Sequence, residues 1–160
     1  MTESLRLANR FKEVLLDGQF IANTNIQEQL EDVDYKMATA QVSDLNTLAK
    51  LTFHLNYYID GVMNVFKGGD LTIRDKFSFD MEEIDSEQKW QRLRSTLLEN
   101  AKAFAKHVEE LSDEQLTAPF VDVKYGDYKR NINAMIEHCY YHFGQMVILK
   151  KLLKARVQSS

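Results

Sequence analysis

Apolar residues in the middle of the chain fall at Leu48, Leu51, Leu55, Tyr58, Val62 and Val65, in steps of 3, 4, 3, 4 and 3. That spacing gathers all six on one face of a long α-helix, a face that must be covered by other elements. The whole chain of 160 residues has a single proline, and proline is what most effectively breaks a helix interior. Any fold assigned to this chain therefore has to be built from long, uninterrupted helices.

Three further helical patterns accompany the first. An N-terminal one from Glu3 to Asp17 turns Leu7, Ala8, Phe11, Val14 and Leu15 inward and breaks near Gly18. A third starts at the capping pair Asp85-Ser86 and runs through Trp90, Leu93, Leu97, Ala101, Phe104, Val108 and Leu111. The last runs from about Asn131 through Met135, His138, His142, Met146, Leu149 and Leu153. It finishes with Lys150, Lys151, Lys154 and Arg156, cations suited to the negative end of a helix dipole. The helix from Leu45 stops at Gly68-Gly69, and a short helix is expected from Ile26 to Val33 in an otherwise irregular stretch. The links Gly68 to Ile84 and Ser112 to Arg130 are much longer than the two to eight residues that join antiparallel neighbours. They predict crossovers and at least one parallel neighbour pair, with residues 120–128 forming an extended or hairpin excursion. The expectation is an all-α four-helix bundle with long crossover connections, one domain over residues 1–160.

Composition narrows the function classes. Twenty basic against twenty-four acidic residues leave no electrostatic footprint for nucleic acid or an anionic membrane. One cysteine cannot form an intramolecular disulfide. The start, Met1-Thr2-Glu3-Ser4-Leu5-Arg6, does not resemble a signal peptide, and the uncharged stretch His138 to Leu149 is too short to span a bilayer. These features predict a soluble, cytoplasmic protein. GxxxxGK[ST], GxGxxG and GxSxG are all absent, so nucleotide binding and α/β-hydrolase chemistry have no motif to rest on.

The four histidines carry the most information. His138 and His142, four apart, stack on one face of the last helix, within its apolar stripe. His54 borders the apolar stripe of the second long helix, between Leu51 and Tyr58. Bundles commonly build metal sites from side chains that project inward from facing helices, and three imidazoles leave a position open. The same histidines also fit a core in which each ring nitrogen finds a protein partner. His107, in a charged stretch, reads as a solvated surface residue, and Cys139 as a small buried hydrophobe. The glutamate that zinc proteases place after the first histidine is missing from His138-Cys139-Tyr140-Tyr141-His142. Gln145 can orient a ligand or make an interhelical hydrogen bond, and Tyr58 and Tyr141 can line a cavity beside the histidines.

Leu51-Thr52-Phe53-His54-Leu55, followed by Glu137-His138-Cys139-Tyr140-Tyr141-His142-Phe143-Gly144-Gln145, resembles the DinB/YfiT-like superfamily over nearly the whole chain. Ile21-Ala22-Asn23-Thr24-Asn25, Tyr57-Tyr58 and Tyr125-Gly126-Asp127-Tyr128-Lys129-Arg130-Asn131 are similar to its DUF1572-type branch. The resemblance implies a four-helix bundle holding a divalent metal (nickel, zinc, iron or manganese) through His54, His138 and His142. It also implies an enzyme of the low-molecular-weight-thiol S-transferase or hydrolase type, or else a non-catalytic, stress-associated bundle that binds metal or dimerises. Homodimers are common in such bundles. Phe143 stands where many relatives carry arginine, while Gly144 and Gln145 keep the pattern.

Overall fold

The computed structural model describes residues 1–158, so the last two of the expected 1–160 span lie outside it. Its helices are α1 (Glu3–Leu15), α2 (Ile26–Glu31), α3 (Tyr35–Thr39), α4 (Leu48–Phe66), α5 (Glu87–Glu109), α6 (Asp113–Thr117) and α7 (Tyr128–Gln158). Caps set most of the boundaries. The hydroxyls of Thr2, Thr47, Ser86 and Ser112 each accept a backbone N–H in the first turn of α1, α4, α5 and α6. Thr47 thus delays α4 to Leu48, three residues later than the apolar pattern alone places it. Asp127 accepts from Arg130 N at 2.7 Å and starts α7 at Tyr128, ahead of the expected Asn131.

Four helices form the bundle, with α1 and α4 each packed against both α5 and α7. Side-chain pairs fix the directions. Phe66, at the end of α4, stacks on Phe104 and His107 near the end of α5, and Asn100 donates to Asn56, so α4 and α5 are parallel. Glu3 pairs with Lys129 and Arg10 donates to Asn133, so α1 and α7 are parallel as well. Phe66 also stacks on Tyr128 at the start of α7, while His54 meets His142 further along, which makes α4 and α7 antiparallel.

A parallel α4–α5 pair needs a connection that travels back the full length of the bundle, and residues 67–86 provide it. This strap retraces α4. Ile73 lies against Gly61, Asp75 accepts from Tyr58, and Ser78 accepts from His54. A Cβ on Gly61 would sit 2.3 Å from Ile73 Cγ1, so glycine is what lets the strap lie this close. The link from α1 to α4 crosses one end of the bundle through α2 and α3. It is tied down by Trp90 Nε1, which donates to Val33 O at 2.6 Å, and by Lys150 and Lys154, which both pair with Asp32. Residues 118–128 form a short hairpin, bridged between Pro119 and Asp127. Val121 within it holds φ at +61°, a strained value for a β-branched residue.

Among the described residues, no helix is long and apolar enough to cross a membrane.

Candidate metal centre

The α4–α7 seam and the strap together place three imidazoles in one spot. Ring centroids lie 5.0 Å apart for His54 and His138, 4.6 Å for His54 and His142, and 4.5 Å for His138 and His142. One ring nitrogen from each falls within 4.8 Å of the other two. Local sequence accounts for the convergence. The i, i+4 spacing stacks His138 and His142 on α7, and the antiparallel approach of α4 brings His54 to the same level.

Hydrogen bonds fix the orientation of two of the rings. His54 Nδ1–H donates to the carbonyl of Ser78 at 3.2 Å, and His142 Nδ1–H donates to Gln145 Oε1 at 2.7 Å. Each bond holds its proton on Nδ1 and leaves Nε2 with a free lone pair, the arrangement that supports metal-binding histidines. His138 Nε2 is buried and has no hydrogen-bond partner. Leaving a buried polar atom unsatisfied costs about 1–3 kcal/mol, so a group that accepts this lone pair fits the site.

Electrostatics point the same way. Burial lowers the pKa of all three rings. His138 is pulled down to about 4, by desolvation first and then by His142 and His54. His54 is lowered by desolvation and by His142, and His142 by desolvation. All three are therefore neutral at neutral pH, the protonation state in which imidazole binds a cation. The donor set suits a borderline ion such as zinc, nickel or iron.

His138 also lines a cleft of about 560 Å³ between α4, the strap, the hairpin and α7. Val62, Leu71, Ile73, Phe120 and Met135 supply apolar wall, while Arg74, Asp75, Tyr58 and Asn131 supply polar groups. Tyr58 donates to Asp75 Oδ1 at 2.6 Å, and its ring meets His54 and His138 edge-on at 4.9 and 5.0 Å. Burial, reinforced by Asp75, pushes the Tyr58 phenol up to about 12. Tyr58 therefore borders the histidines as the sequence reading allows.

Tyr141 does not line that cleft. Its ring touches His142 edge-on at 4.9 Å, yet the side chain is 66% exposed, because its position on α7 points away from the bundle. His107 also departs from expectation. It is half-buried and stacks on Phe66 at 4.9 Å, because the parallel α4–α5 pairing brings the two helix ends together. Cys139 is fully buried, and its surroundings push the thiol up to about 12. Phe143 is buried in the core, so its position offers no cation to the cleft; the cation there is Arg74.

The strap was the part of the site that sequence reasoning missed. Ser78 fixes His54, Phe79 stacks on the same ring at 4.2 Å, and Tyr57 both donates to Arg74 O and accepts from Arg74 N. The available signal was a set of apolar residues, Leu71, Ile73, Phe77, Phe79, Met81 and Ile84, spread through a link that carries no helical period.

Comparison with curated proteins and with solved structures gave no match. A family model described as the DinB superfamily matches residues 24–146, a span that includes all three clustered histidines, and the chain belongs to that superfamily.

Proposed function

We propose that this chain is a divalent-metal-dependent enzyme for a small molecule, of the low-molecular-weight-thiol S-transferase or hydrolase type. His54, His138 and His142 hold the ion. The observation that carries this reading is the convergence of three neutral imidazoles around the buried, unpartnered Nε2 of His138, next to a ligand-sized cleft. When bound, a divalent ion in such a site supplies Lewis-acid activation of a sulfur or oxygen nucleophile near neutral pH.

The chain's own residues do the rest. Ser78 and Gln145 keep the Nδ1 protons of His54 and His142 in place and so aim their opposite nitrogens. Tyr58 stays protonated at neutral pH, held by Asp75, and presents a fixed wall rather than a base. The apolar side chains between α4 and α7 keep water from that side of the substrate. Arg74 takes an anionic group at the cleft's edge, where the Phe143 position supplies none.

Metal analysis by mass spectrometry of the untagged, as-purified protein tests this, beside a His54→Ala/His138→Ala/His142→Ala variant. About one metal per chain, lost in the variant, supports the reading and opens the screen of thiol and ester substrates. A metal-free native protein that also takes up neither zinc nor nickel overturns it.

A further inference from the structure

The two charged side chains that line the cleft stand on consecutive strap residues, Arg74 and Asp75. Among the described residues they form an ion pair neither with each other nor with any other group. The bonds of Arg74 are the two that its backbone makes with the Tyr57 hydroxyl, so its guanidinium is left open. Asp75 Oδ1 accepts from Tyr58 at 2.6 Å, which fixes the carboxylate and leaves Oδ2 open. The next cation along, Lys76, is turned onto the ring of Phe77, 4.7 Å from its centroid, and lines no part of the cleft. Successive tyrosines of α4 thus anchor the two charged positions, one by its backbone and the other by its side chain.

We infer that the cleft takes the head group of an α-amino acid, with its carboxylate on Arg74, its ammonium on Asp75 and an apolar side chain along the wall. The inference rests on the cleft being the substrate site, as proposed above. The two formal charges cancel, so an anion drawn to Arg74 is repelled by Asp75, and a cation the reverse. A zwitterion is favoured by both. Consecutive Cα atoms lie about 3.8 Å apart, which keeps the two anchor points close and suits a ligand with both charges on one carbon. Val62, Ile73, Phe120 and Met135 line the same cleft, and its volume of about 560 Å³ has room for a side chain of several carbons beside the head group. Asp75 is what turns a general anion site into an amino-acid site.

Titration of the full chain by ¹H–¹⁵N NMR, after removal of metal so that chelation plays no part, tests the inference. The probes are norleucine, hexanoate (which lacks the ammonium), pentylamine (which lacks the carboxylate) and 6-aminohexanoate (which carries the ammonium at the far end). Norleucine should bind saturably and at least about fivefold more tightly than the other three, the worth of one charge-assisted contact at a partly exposed site. Arg74→Gln should weaken norleucine by a similar factor and leave pentylamine unchanged or tighter. Asp75→Asn keeps an acceptor for the Tyr58 hydroxyl, and should weaken norleucine while leaving hexanoate unchanged or tighter. Hexanoate or 6-aminohexanoate binding as well as norleucine overturns the inference. So does the lack of a saturable shift with norleucine up to its solubility limit. Failure here is distinct from failure of the proposed function: a native chain without metal leaves this titration intact, and a metal-loaded chain that ignores norleucine sinks the inference alone.

Discussion

Between α1 and α5 the bundle is dry. Phe11 and Phe104 are both fully buried, and their rings meet with centroids 4.5 Å apart. Between α4 and α7, three imidazoles stand among the apolar side chains, one of them with a buried nitrogen that nothing satisfies. A cleft opens beside them and reaches His138. The groove of about 380 Å³ on the other seam is lined largely by charged residues such as Lys12, Lys102, Lys106 and Glu109, and reaches none of the buried Phe11, Leu97, Ala101 or Phe104. The first seam stabilises the fold through apolar burial at roughly 25 cal/mol per Å². The second gives up part of that gain to hold polar groups in a fixed arrangement, the usual mark of a site shaped for binding rather than for stability.

The largest effect should come from breaking the dry seam. Phe104→Ala removes a ring that packs on both Phe11 and Phe66, and should cost about 3–5 kcal/mol in urea unfolding. Metal bound per folded chain should stay unchanged, because Phe104 touches none of the three histidines. Next comes the support of the wet seam. Gln145→Leu strands the Nδ1 proton of the buried His142 and should weaken divalent-metal affinity about 10- to 100-fold in a competition titration, while costing the metal-free chain about 1–3 kcal/mol in urea unfolding.

Acid should separate the seams further. The folded-state pKa of each clustered histidine lies below the ordinary value of 6.5, so the unfolded chain takes up protons first as pH falls. The metal-free protein keeps the full contribution above about pH 6.5 and loses it progressively down to about 4, the value for His138. Discounted for the partial exposure of that ring, the loss from His138 is about 1–2 kcal/mol. Urea midpoints across this pH range should slope for the wild type and flatten for the triple histidine variant. Asp32, held down to about 2 by Lys150 and Lys154, acts only at lower pH.

The smallest effect has the opposite sign. His138→Leu keeps the side-chain size but removes the unpartnered ring nitrogen, and should raise the stability of the metal-free chain by about 1 kcal/mol. Metal binding should be lost in the same variant. A destabilised metal-free protein would mean that His138 has a structural partner, and the contrast between the seams would blur.

The four bundle helices were legible because each repeats its apolar residues at helical spacing, and the links were long enough to demand a crossover. The histidine cluster was legible for a related reason: His138 and His142 share a face by spacing alone. The strap was not. Ile73, Asp75 and Ser78 follow no period, and they are held by Gly61, Tyr58 and His54, residues that become neighbours only once the chain has turned back along α4. Tyr141 was ambiguous from sequence because it adjoins His142 and yet occupies a different face of the same helix. The short α3 depends on Asp34, whose carboxylate accepts from Met37 N, a local cap in a stretch with little apolar pattern.

Histidine ring nitrogens can be observed directly by long-range ¹H–¹⁵N NMR on the metal-free protein, followed by addition of one equivalent of zinc. The account predicts neutral rings at neutral pH, with the proton on Nδ1 in His54 and His142, and movement of the Nε2 signals of His54, His138 and His142 together on addition of zinc. Protons found on Nε2 of His54 and His142, or three signals that ignore the metal, would contradict it.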